Sequence, residues 1–258
     1  MNGWFTAFIA INQRELIRFW HNRSRLLSAL VRPLLWLLVF AVGFRSVLGV
    51  SIMPPYETYI LYQEYIVPGL CAMIVLFNSM QNSLSMVYDR EMGSMKVLLM
   101  SPYPSSFLLF AKLFASAVLS LLQVLIFIAL CFLVDVDISL TGIVFAIPAV
   151  FMTAFFLGAL GIILANFIKQ LENFAGIMNF VIFPMFFMSS ALYPLWKIRE
   201  SSEWLYWICF YNPFTHGVEL IRFALYQQLN SSALLVIISI TLACSIVALM
   251  TFRGHKHA

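Results

Sequence analysis

Residues 65–94 read YIVPGLCAMIVLFNSMQNSLSMVYDREMGS, and this stretch decides the class of fold. No charged side chain occurs between residues 65 and 88. A helix needs about 20 predominantly apolar residues to cross the hydrocarbon core of a bilayer. The charged triplet Asp89-Arg90-Glu91 then ends the apolar run. The stretch therefore predicts a transmembrane helix followed by a charged connector outside the membrane.

The composition of the whole chain supports the same interpretation. Hydrophobic residues make up 62% of the 258 residues and charged residues 10%, and the mean hydropathy is +0.94. A soluble domain has roughly 25% charged residues. A chain this apolar could not cover a water-facing surface, and its length leaves no room for a separate soluble catalytic domain. No nucleic-acid partner is expected.

Further apolar runs on both sides of the quoted stretch predict an all-α integral membrane protein with six transmembrane helices. The predicted spans are residues 26–44, 65–88, 107–134, 142–168, 174–192 and 233–252. Small residues recur three or four positions apart in the fourth span, a spacing that suits close helix packing. They are Ala154, Gly158, Gly161 and Ala165. Residues 1–258 are expected to form a single transmembrane domain.

Residues 1–25 are predicted to form an amphipathic helix that lies in the plane of the membrane surface. Aromatic and apolar side chains project to one side of this helix, and basic side chains project to the opposite side. Arg14, Arg18 and Arg25 are the expected anchors to lipid head groups. The alternative is the solvated face of a soluble helix. The segment runs directly into a predicted span, which favours the membrane surface.

Residues 193–230 form the longest break between predicted spans. Tryptophan and tyrosine crowd its first half, as expected at a membrane–water interface. After Asn212-Pro213, a partly apolar helix is predicted to carry His216, Glu219 and Arg222. We expect this helix to be re-entrant or interfacial, on the external side and before the last span.

The distribution of Lys and Arg predicts the orientation, because cytoplasmic loops carry an excess of both residues. Eleven of the 15 basic residues fall on the side of the two termini and the connector, and four fall on the side of residues 193–230. Both termini and the connector are therefore expected in the cytoplasm.

The connector, residues 89–101, is predicted to contain a short helix. Asp89 can cap this helix, and Glu91 favours its first turn. Its apolar residues are Met92, Met95, Leu98 and Leu99. A cytoplasmic loop that displays such side chains needs something to cover them. The cover could be a partner protein or the membrane surface, and the connector alone leaves this choice open.

The absence of several motifs limits the possible functions. The sequence has no GxxxxGK[ST] phosphate loop, no HExxH and no GxSxG, and its four cysteines lack metal-site spacing. A nucleotide site, a metal site and catalytic residues are therefore not expected in this chain. Ion-coupled carriers usually keep acidic residues near the bilayer centre, and here the candidates Glu64 and Glu172 sit at span ends.

Three parts of the sequence, in this order and spacing, resemble the permeases of type-2 ABC exporters. The first is the basic N-terminal helix followed by Arg32-Pro33-Leu34-Leu35-Trp36. The second is Tyr65-Ile66-Val67-Pro68-Gly69-Leu70 with Arg90-Glu91-Met92-Gly93-Ser94 downstream. The third combines Pro184, Tyr193-Pro194-Leu195 and the run from Asn212 to Arg222. Ser94 stands where this family often has threonine. The resemblance covers nearly the whole chain.

This resemblance implies a permease in a bacterial inner membrane that exports an amphipathic or hydrophobic substrate. It implies a working unit of two permease copies and two copies of a separate ABC ATPase, which binds ATP and Mg²⁺. It also implies that the connector is a coupling helix seated on the ATPase. The residues assigned to this contact are Asp89, Arg90, Glu91, Met92, Gly93, Met95, Leu98 and Leu99.

On this interpretation, polar and aromatic side chains of spans two and five line the substrate path between two copies. The candidates are Asn78, Asn82, Asn179, Phe183, Phe187 and Ser189. The alternative role for these residues is hydrogen bonding and packing between helices.

Other functions remain open at this point. The same family includes exporters of polysaccharides and glycolipids, although the basic pattern before span one places this chain closer to the branch for drugs and lipid-like substrates. His216 and Glu219, which share a helix face, are the best pair for an intramembrane enzyme. A self-contained channel or carrier is a further alternative.

Overall fold

A computed structural model describes residues 3–21, 30–39, 49–50, 54–56, 60–94, 100–134, 136–168 and 170–254, which are largely helical. The helices are α1 Gly3–His21, α2 Leu30–Val39, α3 Tyr62–Glu91, α4 Ser105–Cys131, α5 Leu140–Phe167, α6 Leu171–Phe187, α7 Leu195–Ser201, α8 Glu203–Tyr211, α9 Pro213–Leu225 and α10 Ser231–Gly254. A 3₁₀ turn, Phe132–Val134, extends α4. The two-residue strands β1 (Gly49–Val50) and β2 (Ile60–Leu61) pair antiparallel.

Four helices are long and apolar enough to cross a membrane. They are Tyr62–Glu91, Ser105–Val134, Leu140–Phe167 and Ser231–Phe252. Each coincides within three residues with one of the predicted spans. The expected all-α membrane architecture is confirmed to this extent, and a total of six spans stays a prediction.

The helices at the first and fifth predicted spans are shorter. α2 covers Leu30–Val39 of the expected range 26–44, and the remaining residues of that range lie outside the described parts of the chain. α6 ends at Phe187 rather than at residue 192. It ends there because the Ser189 hydroxyl donates to the Phe186 carbonyl and accepts from the Ala191 N–H, which forms a turn. The sequence of residues 188–192 gives no local signal for this turn.

Helix α3 is the centre of the molecule. Within its most apolar window, 78% of the residues are buried inside the chain, against 17% for α10. α3 contacts α4, α5, α6 and α9, and Ile66, Leu70 and Leu76 are fully enclosed. The four small residues of α5 are also buried, as predicted. Gly161 lies directly against Ser83 of α3, and a Cβ at this position would collide with the serine hydroxyl.

The segment between α6 and α10 folds into α7, α8 and α9. Asn212 caps α9: its Oδ1 accepts from the Phe214 N–H at 3.0 Å, and Pro213 occupies the first turn. The Asn212 amide also donates to the carbonyls of Met185 (2.9 Å) and Met188 (2.6 Å). One side chain therefore starts α9 and fastens it to the end of α6. The re-entrant path of α9 stays a prediction.

Candidate functional site

The last turn of α3 contains a buried carboxylate surrounded by cations. Asp89, whose side chain is 4% exposed, accepts from Arg18 at 2.9 Å (Oδ1) and 3.1 Å (Oδ2). Arg14 lies 3.4 Å and the Lys112 ammonium 3.9 Å from the same carboxylate. The paired hydrogen bonds from Arg18 form the bidentate geometry that makes such contacts strong. These four residues, Arg14, Arg18, Asp89 and Lys112, are called the Asp89 cluster below.

The Asp89 cluster corrects the role that the sequence suggested for Asp89. Asp89 does not begin a short connector helix, because it lies within α3 and binds side chains of α1 and α4. The Ser94 hydroxyl donates to the Asp89 carbonyl at 3.1 Å, which folds the connector back onto the same turn. The single acid thus joins α1, α3, α4 and the start of the connector.

Helix α1 has the predicted apolar face and basic face, but the basic face packs against the rest of the chain. Arg14 and Arg18 contact Asp89, whereas Trp4, Phe5 and Trp20 are half or more exposed on the outer side. The hydrogen bond to Asp89 raises the pKa of Arg18, and partial burial opposes this shift. The structure therefore gives these two arginines a protein partner. Their contact with lipid head groups stays a prediction, and Arg25 lies outside the described residues.

Arg90 and Glu91, the last two residues of α3, bind the turn between α5 and α6. The Arg90 guanidinium donates to the carbonyls of Ala165 and Ile168, at the end of α5. The Glu91 carboxylate accepts from the Leu171 N–H at 3.4 Å, at the start of α6. Helix C-termini present free carbonyls and N-termini present free N–H groups, so each charge lies at the helix end that it complements.

The remaining connector residues are only partly described. Gly93 has a φ of +73°, a left-handed conformation that glycine adopts readily, and it ends α3. Met92 is 64% exposed next to it. Met95, Leu98 and Leu99 lie outside the described residues, so the predicted apolar surface of the connector can be followed only at Met92.

A cleft of about 270 Å³ lies between α2, α3 and α6. It brings together three of the six proposed path residues, Asn179, Phe183 and Phe187. The Arg32 guanidinium lies at its edge, 3.9 Å from the centre of the Phe77 ring. No local sequence pattern predicts this contact, because Arg32 lies on α2 and Phe77 lies on α3.

The other three path candidates lie elsewhere. The buried Asn78 amide donates to Ser120 Oγ at 2.7 Å and to the Ser116 carbonyl at 3.3 Å, which ties α3 to α4. Ser189 is fully buried in the turn after α6. Asn82 lines a separate small pocket beside Lys112. For Asn78, the structure thus agrees with the alternative role in helix packing.

At the opposite end of α3, a buried arginine is held by α9 and its neighbours. Arg222 is 3% exposed and pairs with Glu219 on the same helix. It also donates to the Ser190 carbonyl at 2.7 Å and lies 4.2 Å from the centre of the Tyr65 ring. These four residues, Tyr65, Ser190, Glu219 and Arg222, are called the Arg222 cluster below.

The Arg222 cluster includes Glu219, which the sequence pairs with His216 as candidate residues of an intramembrane enzyme. Glu219 binds Arg222, whereas the His216 ring lies near the ring of Phe210, with 6.0 Å between their centres. A carboxylate engaged by a buried guanidinium is a poor partner for an imidazole that must exchange protons. The geometry therefore gives no support to a catalytic role for this pair.

Comparison with known proteins matches residues 6–226 to the family described as "ABC-2 type transporter". The putative transport permease ycf38 of Cyanophora paradoxa is 30% identical over 252 residues, which cover 93% of this chain and 82% of the relative. The putative transport permease ycf38 of Porphyra purpurea is 26% identical over 220 residues, covering 83% and 72%. A third, from Pyropia yezoensis, is 26% identical over 232 residues, covering 86% and 74%.

Proposed function

The chain belongs to the ABC-2 type transporter family and is a multi-pass membrane transport permease, and from that premise we propose that it is the permease of an exporter driven by a separate ATPase. The observation that carries the proposal is the last turn of α3, where the connector begins. Within six residues, its side chains contact α1, α4, the end of α5 and the start of α6. A force applied to this short segment would reach most of the bundle.

The mechanism follows from these contacts. In the proposed orientation the connector faces the cytoplasm, where the ATPase would bind it. Met92 presents an exposed apolar side chain to such a partner. Asp89 holds α1 against α3, and Arg90 and Glu91 hold the α5–α6 turn. We infer that α1, the connector and this turn move as one lever when the ATPase closes on ATP.

A second copy of the chain would complete the transport path. The outer face of α6 exposes the polar Asn179 as well as Phe180, which is 80% exposed, and Phe183. The exposed large side chains of α10 are apolar, as expected for a surface in lipid. We propose that α6 and the cleft beside it face the partner copy. An amphipathic substrate would suit the aromatic rings and the guanidinium of that cleft.

The dimer can be tested by crosslinking single cysteines in a cysteine-free chain. We expect Phe180→Cys to form a disulfide-linked dimer in the membrane, because two copies of α6 would meet. Leu242→Cys, which is 60% exposed on α10, is the matched control and should remain monomeric. Equal crosslinking of both variants, or of Leu242→Cys alone, would refute the proposed interface.

Coupling to the ATPase can be tested in proteoliposomes that contain the permease and its ATPase. We expect Glu91→Ala combined with Met92→Ala to insert normally and to reduce transport at least tenfold. The variant removes the exposed Met92 side chain, which is a candidate anchor on the ATPase, and the bond from Glu91 to the α5–α6 turn. Each anchor at an interface contributes about 2 kcal/mol or more. Met100→Ala, which alters a 77% exposed methionine at the other end of the connector, is the control. Normal transport by the double variant would remove the basis for coupling through these residues.

A further inference from the structure

A small cavity on the side of the Arg222 cluster has polar walls that the proposed transport function does not use. Its volume is about 150 Å³, and its lining includes Pro54, Tyr56, Tyr65, Trp196, Glu219 and Arg222. At about 30 Å³ per water molecule, this is room for about five waters, or for one small ring. The cavity is external in the proposed orientation.

Three residues of the cavity lining carry hydrogen-bond donors that have no partner among the residues that the structure describes. The Tyr56 hydroxyl, the Trp196 indole N–H and the Arg222 Nε–H are buried and unpaired within the part of the chain that the structure describes. Native proteins leave few buried polar groups unpaired, because each one costs free energy. Three such groups on one cavity indicate an occupant with acceptor oxygens.

The walls hold these donors in place. Arg222 is fixed by Glu219, by the Ser190 carbonyl and by the Tyr65 ring. The Tyr56 ring packs edge-on against Tyr226, with 4.8 Å between ring centres. Preformed sites of this kind are usual for small ligands, which bind among aromatic walls with a few placed polar groups.

The charge balance of the cavity selects the kind of ligand. Arg222 and Glu219 neutralise each other, so a phosphate would bring an uncompensated negative charge next to a carboxylate. A neutral group with several hydroxyls can accept from the three donors and can also donate to Glu219, whose side chain is 20% exposed. Aromatic walls suit the apolar face of a ring.

We propose that this cavity binds a neutral, hydroxyl-rich group the size of one sugar ring. The ring could belong to a soluble or exported sugar, or to the head group of a glycolipid in the surrounding membrane. Both sources present the same hydroxyl chemistry. The proposal goes beyond the transport function and takes only the external orientation from it.

Binding can be measured on the full chain in nanodiscs prepared without glycoside detergents, which would themselves occupy the cavity. The soluble probe is methyl α-D-glucopyranoside, inorganic phosphate is the charged comparator, and glucosyl-diacylglycerol in the nanodisc is the lipid probe. The readouts are tryptophan fluorescence and the thermal unfolding temperature. We expect the glucoside, the glucolipid or both to raise this temperature, and phosphate to leave it unchanged. The probe that acts identifies the source.

Two conservative variants test the donors. Tyr56→Phe and Trp196→Phe each remove one donor, and each should weaken sugar binding roughly three- to tenfold. Without ligand, both should unfold at the native temperature or above it, because an unpaired buried donor is gone. The controls Tyr211→Phe and Trp204→Phe alter exposed residues outside the cavity lining and should bind normally.

Three results would overturn the proposal: no response to either sugar probe, a stronger response to phosphate, or equal effects of the variants and their controls. The first would mean that the cavity holds water only. The binding assay needs neither ATPase nor transport. A chain that transports without binding sugar would therefore refute this proposal alone, and a chain that binds sugar without transport would refute the proposed function alone.

Discussion

The two ends of α3 each bury a charge, and they hold it in different ways. In the Asp89 cluster, long side chains from α1 and α4 reach one carboxylate, and the arginine side chains remain 44% and 36% exposed. In the Arg222 cluster, the acid lies three residues away on the same helix, and the guanidinium side chain is 3% exposed. The first cluster joins distant elements through flexible side chains. The second cluster has its ion pair within α9 and is fixed by the close packing of α9 against Ser190 and Tyr65.

This difference indicates which end of the bundle can move. The Asp89 cluster keeps its own elements together, and its half-exposed arginines leave that end free to shift as a body at modest cost. Close packing of backbones resists any displacement. The Asp89 end is therefore the expected site of motion, and the Arg222 end is the expected fixed point.

The largest effect is expected where backbones touch at the fixed end. Gly69 of α3 lies against the backbone of Ala191, and a Cβ at this position would collide with the Ala191 carbonyl. Gly69→Ala should therefore push residues 190–192 away and weaken the hydrogen bonds that Arg222 and the Tyr65 hydroxyl donate to the Ser190 carbonyl. We expect it to destabilise the chain by about 3 kcal/mol. Thermal unfolding in nanodiscs measures this effect.

The matched control is Gly176→Ala on α6, where a Cβ would meet no atom within 4 Å of the described structure. Alanine favours a helix over glycine, so this variant should unfold at the native temperature or slightly above it. If Gly69→Ala behaved like Gly176→Ala, the Arg222 end would not be fixed by close packing, and the comparison between the two ends would fail.

Smaller and graded effects are expected at the Asp89 end. Arg18 donates two hydrogen bonds to Asp89 and one to Ser85 at 3.1 Å, whereas Arg14 reaches Asp89 only at 3.4 Å. Arg18→Gln should cost about 1 kcal/mol, after allowance for solvent screening, and Arg14→Gln less than about 0.5 kcal/mol. Unfolding temperatures in nanodiscs should follow that order, and the reverse order would contradict the assigned geometry.

Local sequence patterns predicted the elements of this fold better than its contacts. The apolar run 65–88 located α3 because length and hydropathy decide whether a helix can cross a membrane. The spacing of Gly158 and Gly161 correctly predicted a packing face. The end of α6 was placed too late, because the turn at Ser189 depends on side-chain bonds that an apolar composition does not reveal.

The functional clusters depended on contacts between residues far apart in the sequence. Asp89 was assigned a local cap because its cations lie on α1 and α4, from 23 to 75 residues away. The spacing of Arg14 and Arg18, one turn apart on one face, was the available signal for a shared partner. Nothing local marked Tyr56 and Trp196 as neighbours, since only the tertiary fold places residues 54–56 and the start of α7 on one cavity.

The central claim is that α1 and the connector move as one body, joined by Asp89. Spin labels at Ile9 and Met100, both exposed, would report the distance between them in the permease–ATPase complex with and without trapped ATP. In the native chain and in the control Asp137→Asn, we expect the same distance in both states. In Asp89→Asn, the distance should broaden or shift on ATP binding. A native distance that changes as much as in Asp89→Asn would contradict the account.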